Sequence, residues 1–357
     1  MNKMNINPFK NLLVSALLGL LLFSCSGGRP EPVSREYSNP VIPSNCPDPS
    51  VLDNRSRDGY FYAYSTQSGS GDAVKYIPVY RSRDLVDWEP CGAAFTAEGH
   101  PAWVEGARLW APDANYVDGH YVLYYAMGVW GDHIHSCAGV AVSDSPTGPF
   151  EDKGMIVDYA STGVTNCIDA NFFEDSDGRR YLCWGSFGKG SGIWGAELSS
   201  DGLSLKDPKS AVQLTRVDTE GAYLHKHGKD YYLFASIGSC CEGEKSTYRV
   251  IVGRSKSPLG PFVSPSGKSM LEDDYDYVML HASQDKVFIG TGHNSEIVTD
   301  DKGDDWMFYH AFWKGNDYNG RCLMMDKIQW DKEGWPHVSG GEPSSTATGP
   351  SLRLETK

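Results

Sequence analysis

This 357-residue chain has little positive charge relative to its negative charge. It carries 32 lysine and arginine residues against 46 aspartate and glutamate residues, which gives a formal net charge of −14 at pH 7. It contains no run of five or more basic residues. Because binding to nucleic acid depends on clustered lysine and arginine side chains that contact phosphates, we expect no nucleic-acid partner. The composition is compatible with a neutral polysaccharide or a small neutral substrate.

Long apolar runs are scarce as well. The prominent one runs from Leu12 to Phe23, after a weakly basic start. At about 12 residues it is too short to span a bilayer and has the length of the apolar part of a signal peptide. The sequence therefore predicts a signal peptide at residues 1–24.

The residues that end this run resemble a bacterial lipobox. They read Leu22-Phe23-Ser24-Cys25, and Phe23 departs from the stricter form of that motif. We expect Cys25 to carry the lipid and residues 25–40 to form a flexible tether. The predicted protein is an exported bacterial lipoprotein of the periplasm or outer membrane, which contacts the membrane through its anchor only. A plain cleaved signal peptide is the alternative, and the residues after Cys25 leave the membrane face open.

Cysteine patterns typical of metal sites are missing too. None of the nine cysteines has the spacing of a metal-ligand motif. An exported protein can form disulfides, but the adjacent Cys240 and Cys241 cannot easily bridge each other without backbone strain. We expect mostly buried free thiols and room for one disulfide, whose partners the spacing leaves open.

What the chain does contain is a repeat. A turn followed by an alternating, aromatic-rich run occurs five times, at residues 58–65, 118–125, 177–184, 229–236 and 304–310. A second phrase follows each copy, at residues 79–88, 140–150, 193–198, 251–262 and 322–326. Period-two patterns entered from turns predict β-strands, and we assign the aromatic runs to the inner strand of each unit. Five paired copies predict an all-β, five-bladed β-propeller over residues 41–340, with residues 341–357 as a C-terminal tail.

Three acidic residues lie just before strands of this repeat. Asp48 lies between two prolines that fix the backbone on both sides, Asp169 lies in an otherwise apolar segment, and Glu220 precedes Gly221. Taken singly, Asp48 could be a turn residue and Glu220 an exposed loop residue. Because each precedes its repeat strand by a similar distance, we expect all three on one rim of the propeller axis. Converging carboxylates of this kind suit acid–base hydrolysis of a glycosidic bond.

Several short segments together resemble glycoside hydrolase family 43, and most closely its arabinan-degrading members. The resemblance runs from about residue 43 to residue 336, and its segments are residues 47–50, 109–113, 166–171, 184–187, 220–223, 239–243, 246–248 and 292–295. It implies cleavage of α-1,5-linked L-arabinan with inversion, by a protein that we expect to be a monomer. An exo-acting α-L-arabinofuranosidase or β-xylosidase on the same fold is the nearest alternative. A non-catalytic glycan-binding lipoprotein is the alternative from another class.

The resemblance also implies a role for each matching residue. Asp48 corresponds to the general base, Glu220 to the general acid, and Asp169 to the carboxylate that raises the pKa of the acid and orients it. His293 corresponds to a histidine that binds a central calcium ion, largely through water molecules. The residues implied to bind the substrate are Trp110, Asn166, Ser186 and Phe187.

Overall fold

The computed structural model describes residues 31–353, so the predicted lipid-bearing Cys25 lies outside the described residues. This part of the chain forms five antiparallel sheets in sequence order, and a separate two-stranded sheet joins a segment before the first of them to a segment after the last. This arrangement confirms the predicted all-β, five-bladed propeller. Within residues 31–353, no helix has the length and apolar character needed to cross a membrane.

Each blade is built from consecutive strands that pair with their neighbours. Before the first blade comes β1 (Glu36–Ser38). Blade 1 contains β2 (Ser50–Asp53), β3 (Phe61–Tyr64), β4 (Tyr76–Ser82) and β5 (Glu89–Phe95). Blade 2 contains β6 (Arg108–Val117), β7 (His120–Gly128), β8 (Cys137–Ser143) and β9 (Glu151–Val157). Blade 3 contains β10 (Asn171–Glu174), β11 (Arg180–Trp184), β12 (Trp194–Glu197) and β13 (Val212–Gln213).

The last two blades follow the same plan, with an interruption in the fifth. Blade 4 contains β14 (Thr219–His227), β15 (Asp230–Ile237), β16 (Arg249–Ser255) and β17 (Val278–Leu280). Blade 5 contains β18 (Phe288–Gly292), β19 (Val298–Thr299), β20 (Asp305–Trp313), β21 (Arg321–Trp330) and β22 (Pro336–His337). Both β18 and β19 pair with β20, so they form one inner strand that is broken at residues 293–297. After blade 5 comes β23 (Thr346–Thr348).

Within residues 31–353, helical structure is limited to single turns in the connections. The α-helical turns in this range are α1 (Arg55–Asp58) and α2 (Tyr159–Thr162). The 3₁₀ turns are Gly71–Ala73, Pro208–Ser210, Gly243–Lys245, Lys314–Asn316 and Ser339–Gly341.

The aromatic runs do not form the inner strands, and that part of the prediction was wrong. They form the second strand of each blade, namely β3, β7, β11, β15 and β20. The first strands lie at the axis, where β2 contacts β6 and β6 contacts β10. The reason is burial: a second strand has a neighbouring strand on both sides and a blade on both faces, so it takes the most apolar sequence. The first strands border the polar axis and carry residues such as Ser50 and Asn171.

The hydrophobic core is divided into five clusters, each between two neighbouring blades. Between blades 2 and 3, for example, Tyr124 stacks on Phe172 with ring centroids 5.6 Å apart, beside the buried Trp184. The other four clusters join blades 1 and 2, 3 and 4, 4 and 5, and 5 and 1. The high aromatic content therefore serves mainly to pack blade against blade.

The folded unit reaches beyond the predicted limits of 41 and 340. Strand β1 pairs with β23, so residues assigned to the tether and to the C-terminal tail hold each other in place. Next to them, the backbone N–H groups of Val41 and Ile42 donate to the Leu323 carbonyl of blade 5. The chain ends thereby close the circle between the first and last blades.

A ring of hydrogen bonds joins the inner strands around the axis. In each link, a side chain of one blade accepts a backbone N–H of the next blade. The five links are Val51 N to Glu296 Oε2 (2.8 Å), Ala114 N to Ser50 Oγ (2.9 Å), Phe172 N to Asp113 Oδ2 (3.0 Å), Leu224 N to Asn171 Oδ1 (2.8 Å) and Ile297 N to Tyr223 Oη (2.9 Å). Because every blade takes part, the ring sets the spacing of all five inner strands.

Candidate active site

One backbone position is repeated in all five blades at the same end of the axis. It lies two residues before the ring residue of the blade, or three before Glu296 in blade 5, and its φ angle is positive. The five residues are Asp48 (φ 51°), Ala111 (φ 38°), Asp169 (φ 57°), Gly221 (φ 61°) and His293 (φ 50°). Four of them are not glycine, and a left-handed conformation is uncommon for such residues. Strained positions of this kind concentrate at functional sites.

The repeated position brings the predicted site residues together. Asp48, Asp169 and His293 occupy it in blades 1, 3 and 5, and Glu220 lies one residue earlier in blade 4. All four line a single cleft of about 310 Å³ at the propeller axis. In blades 2 and 4 the inner strand shifts its register at this point, and in blade 5 it does so just before it, which turns the backbone out of the regular ladder.

Asp48 is held as a carboxylate by several donors. Arg321 Nη1 donates to its Oδ1 at 2.6 Å, and Thr66 Oγ1 donates to its Oδ2 at 2.7 Å. His293 Nδ1 lies 3.3 Å from the same Oδ1. Burial opposes ionisation of Asp48, but the charge of Arg321 and the contact with His293 outweigh it and hold the pKa of Asp48 well below the usual value. Asp48 is therefore ionised and able to accept a proton from water.

His310 is neutral and contacts the backbone of Asp48. The Asp48 backbone N–H donates to His310 Nδ1 at 3.2 Å, so this nitrogen is an acceptor and carries no proton. The imidazole is fully buried, and burial together with the charge of Arg321 lowers its pKa to about 3. His310 thus fixes the backbone of Asp48 in its left-handed conformation.

Glu220 has the opposite electrostatic environment. It is buried, and burial together with the negative charge of Asp169 raises its pKa to about 7. Ser186 Oγ donates to its Oε2 at 2.5 Å. Around neutral pH a large share of Glu220 is therefore protonated and able to give a proton to a leaving oxygen.

The pKa of Asp169 lies between those of Asp48 and Glu220. Burial raises its pKa to about 6, and the charge of His293 works against that rise. The backbone N–H of Gly221 donates to its Oδ2 at 3.3 Å, which ties Asp169 to the segment that carries Glu220. Asp169 is positioned to act on Glu220 through its charge.

His293 carries positive charge in this setting. Burial would lower its pKa, but Asp169 and Asp48 outweigh that effect and raise it to about 9. Its backbone N–H donates to Ser236 Oγ at 2.9 Å. Among residues 31–353, no group of three or more histidine, cysteine, aspartate or glutamate side chains is arranged to hold a metal ion.

A second lobe of about 190 Å³ adjoins the cleft on the side of blades 2 and 3. It is lined by all four predicted substrate-binding residues, and Glu220 borders both lobes while Asp48 borders only the first. The Asn166 side-chain amide donates to the Phe187 carbonyl at 2.9 Å, and Ser186 contacts Glu220. These two residues therefore organise the lobe and the acid in addition to lining the site.

Sequence reasoning missed several residues of the site. Arg321 and His310 come from blade 5, and Thr66 comes from blade 1. A signal existed for His310, because it is a histidine at the core of an aromatic strand. Arg321 precedes the weakest copy of the second phrase, and nothing in its neighbours distinguishes it from a surface arginine.

The prediction for the adjacent cysteines was wrong, because Cys240 and Cys241 are bridged to each other. Both lie in the connection between β15 and β16, outside the hydrogen-bonded ladders, so the backbone is free to take the conformation that the bridge requires. The other cysteines of the described part of the chain are free, and all but Cys91 are buried.

The comparison with known protein families identifies the family of this chain. The profile described as "Glycosyl hydrolases family 43" matches residues 37–336. The chain belongs to this family. It is therefore a glycoside hydrolase, as the opposed protonation states of Asp48 and Glu220 also indicate.

Individual relatives support the same assignment. The extracellular exo-alpha-(1->5)-L-arabinofuranosidase ArbA of Cellvibrio japonicus is 29% identical over 80% of this chain and 84% of its own length. The extracellular endo-alpha-(1->5)-L-arabinanase 1 of Bacillus subtilis is 32% identical over 73% of this chain and 79% of its own length. The solved structure of Cellvibrio cellulosa alpha-L-arabinanase with arabinohexaose aligns with a TM-score of 0.72 at 28% identity, covering 83% of this chain and 95% of that one.

The raised pKa of Glu220 gives a pH prediction for this family 43 enzyme. Only protonated Glu220 can act as an acid, so kcat/KM should fall as pH rises through about 7. In Asp169→Asn the neighbouring negative charge is gone, the pKa of Glu220 falls, and the decline should begin at a lower pH. The pH profile of kcat/KM on a hydrolysed substrate measures this. Asp144→Asn, at an exposed blade 2 connection, is the control, and an unchanged profile with normal activity in Asp169→Asn would make Asp169 a structural residue.

Proposed function

We propose that this protein cleaves α-1,5-linked L-arabinan in its interior by single-step inversion. The observation that carries this is the pairing of an ionised Asp48 with a protonated Glu220 in one cleft. An inverting glycosidase needs one carboxylate to activate water and one carboxylic acid to protonate the leaving oxygen. Arabinan as substrate is supported by the names of the relatives and by the arabinohexaose bound to the similar Cellvibrio enzyme.

In the proposed reaction, Asp48 removes a proton from a water molecule as that water attacks the anomeric carbon. Arg321 and Thr66 keep the Asp48 carboxylate in place through their hydrogen bonds. Glu220 gives its proton to the glycosidic oxygen of the departing sugar. The attacked sugar then lies in the lobe that Asp48 and Glu220 share, and the departing sugar lies in the lobe that Glu220 shares with Asn166 and Phe187.

Interior cleavage is supported by the endo-acting relatives, such as the Bacillus subtilis arabinanase. The two lobes on either side of Glu220 would hold the sugars that flank the cleaved bond, which both modes of cleavage require. The similarity to the Cellvibrio arabinofuranosidase supports the exo-acting alternative. Product analysis on linear arabinan separates the two modes, because oligomers of several lengths indicate interior cleavage and a single short product indicates exo action.

The assignment of base and acid predicts the effects of two substitutions. Asp48→Asn and Glu220→Gln should each lower kcat on arabinan by about 10²–10⁴-fold, since each removes one proton transfer. Glu220→Gln should recover part of its rate on an aryl arabinofuranoside, because a nitrophenolate leaves without protonation. Asp48→Asn should not recover. Thermal unfolding of both variants serves as the control for folding, and near-normal arabinan hydrolysis by either variant would refute its role.

We also propose a calcium ion near His293, held mostly through water molecules and bound in exchange for the proton that His293 carries in the metal-free site. His293 and Asn294 border a small axial cavity beneath the cleft, together with the carboxyl groups of Asp113 and Glu296. The buried Asn294 Oδ1 has no hydrogen-bond partner, which fits an oxygen ligand or a water-mediated contact to a cation. Such an ion would stabilise the nearby carboxylates in their ionised form and orient the water that Asp48 uses.

The calcium proposal predicts a change in stability as well as in rate. Chelator treatment should lower the melting temperature and the activity, and added calcium should restore both. His293→Ala should lose the response of the melting temperature to calcium while retaining the fold. If the active enzyme contains no metal by elemental analysis, His293 acts only through its charge and its contact with Asp48.

The proposed location is the periplasm or outer membrane of a bacterial cell, through a lipid on Cys25. Export is supported by the extracellular relatives, and the lipid by the sequence around Cys25. Cys25→Ser should move the protein from the membrane fraction to the soluble fraction and abolish its labelling with a radioactive fatty acid. If wild-type protein takes up no label, the anchor is absent and the leader is a plain signal peptide.

A further inference from the structure

The bridged Cys240–Cys241 pair forms part of the cleft wall. Cys240 borders both lobes, and Cys241 borders the lobe that contains Asp48. Besides Cys240 and Glu220, both lobes are lined by Ile168 of blade 3 and by Trp110 and Trp130 of blade 2. The disulfide is the contribution of blade 4 to the wall at the junction of the two lobes, beside the acid.

The loop that carries the disulfide is held firmly. The backbone N–H groups of Thr247 and Tyr248 both donate to the Ser239 carbonyl at 3.1 Å. Ser246 Oγ accepts the Glu242 N–H at 2.9 Å, and the ring of Tyr248 stacks on His310 with centroids 5.5 Å apart. The loop is therefore anchored to the same residues that position the base, and the place of the disulfide relative to the reacting groups is fixed.

The chemistry of a disulfide differs from that of the rest of the cleft. The cleft also contains hydrogen-bonding groups, including Asp48, Glu220 and Arg321, and these suit the hydroxyl groups of a sugar. A bridged pair of cysteines has no S–H group to donate and presents a polarizable, apolar surface. Such a surface suits the C–H side of a sugar ring, which carries no hydroxyl group.

We propose that the Cys240–Cys241 disulfide is a substrate-contact surface, on which the C–H side of an arabinofuranose unit packs next to the cleaved bond. The proposal rests on arabinan as substrate. On the other side of the junction, Trp110 and the 79% exposed Trp130 offer an aromatic surface to the same chain. The sugar chain would thus pass between an aromatic wall from blade 2 and a sulfur wall from blade 4.

Protection from reduction tests the contact directly. Full-length Glu220→Gln protein is treated with a water-soluble phosphine, with and without arabinohexaose, and the new thiols are counted over time by alkylation and mass spectrometry. Bound arabinohexaose should slow the appearance of the two thiols of Cys240 and Cys241 several-fold, and xylohexaose should not. Calorimetry on the same sample measures arabinohexaose binding. Binding without protection would overturn this inference, whereas absence of binding would overturn the proposed substrate instead.

Two double variants separate contact from loop support. Cys240→Ala/Cys241→Ala and Cys240→Ser/Cys241→Ser both lack the bridge, so a purely structural role predicts equal losses. A contact role predicts a rise in KM for arabino-oligosaccharides of roughly 3- to 10-fold for the alanine pair, the scale of one lost apolar contact, with kcat nearly unchanged. The serine pair should have the larger KM. Cys91→Ala is the matched control, and equal KM values for the two double variants would overturn the inference.

Discussion

Hydrogen bonds from each inner strand to the next blade are the constraint on which the rest of this molecule depends. Hydrophobic clusters hold the outer parts of the blades together, but non-directional contacts do not fix the relative height of five strands at an axis. The ring of links does, because each buried N–H must meet its partner or lose a hydrogen bond. Two of the acceptors are the carboxyl groups of Asp113 and Glu296, and burial raises the pKa of both.

The ring also positions the active site, because the site residues lie close to the ring residues along the backbone. Asp48, Asp169 and Gly221 lie two residues before ring residues, so fixing the ring fixes the groups that face the substrate. The protonation state of each carboxyl group then depends on the charges next to it. Asp48 lies against Arg321 and is ionised, whereas Glu220 lies against Asp169 and keeps its proton near neutral pH. One cleft therefore holds two carboxyl groups in different protonation states without any bound reactant.

The sequence predicted the number of blades and the catalytic acids, and the limits of that prediction have physical causes. The aromatic runs are conspicuous because second strands are buried on every side, whereas inner strands carry polar residues such as Ser50 and Asn171 and have a weaker apolar pattern. The left-handed conformation of Asp48 depends on contacts with His310 and Arg321, which lie more than 260 residues away in the chain. The Cys240–Cys241 bridge depends on the course of a loop, which local spacing does not determine.

The repeated left-handed position also suits changes in the chemistry of such an enzyme, because it occurs once in each blade. The same backbone geometry presents a carboxylate in blades 1 and 3, an imidazole in blade 5, a methyl group at Ala111 and only hydrogen at Gly221. The backbone at this position therefore accepts different side chains in different blades. A single substitution there can change the functional group that a blade presents without changing the fold. Ala111 has the same backbone geometry and borders the axial cavity, so blade 2 presents only a methyl group at the level where blades 1, 3 and 5 present functional side chains.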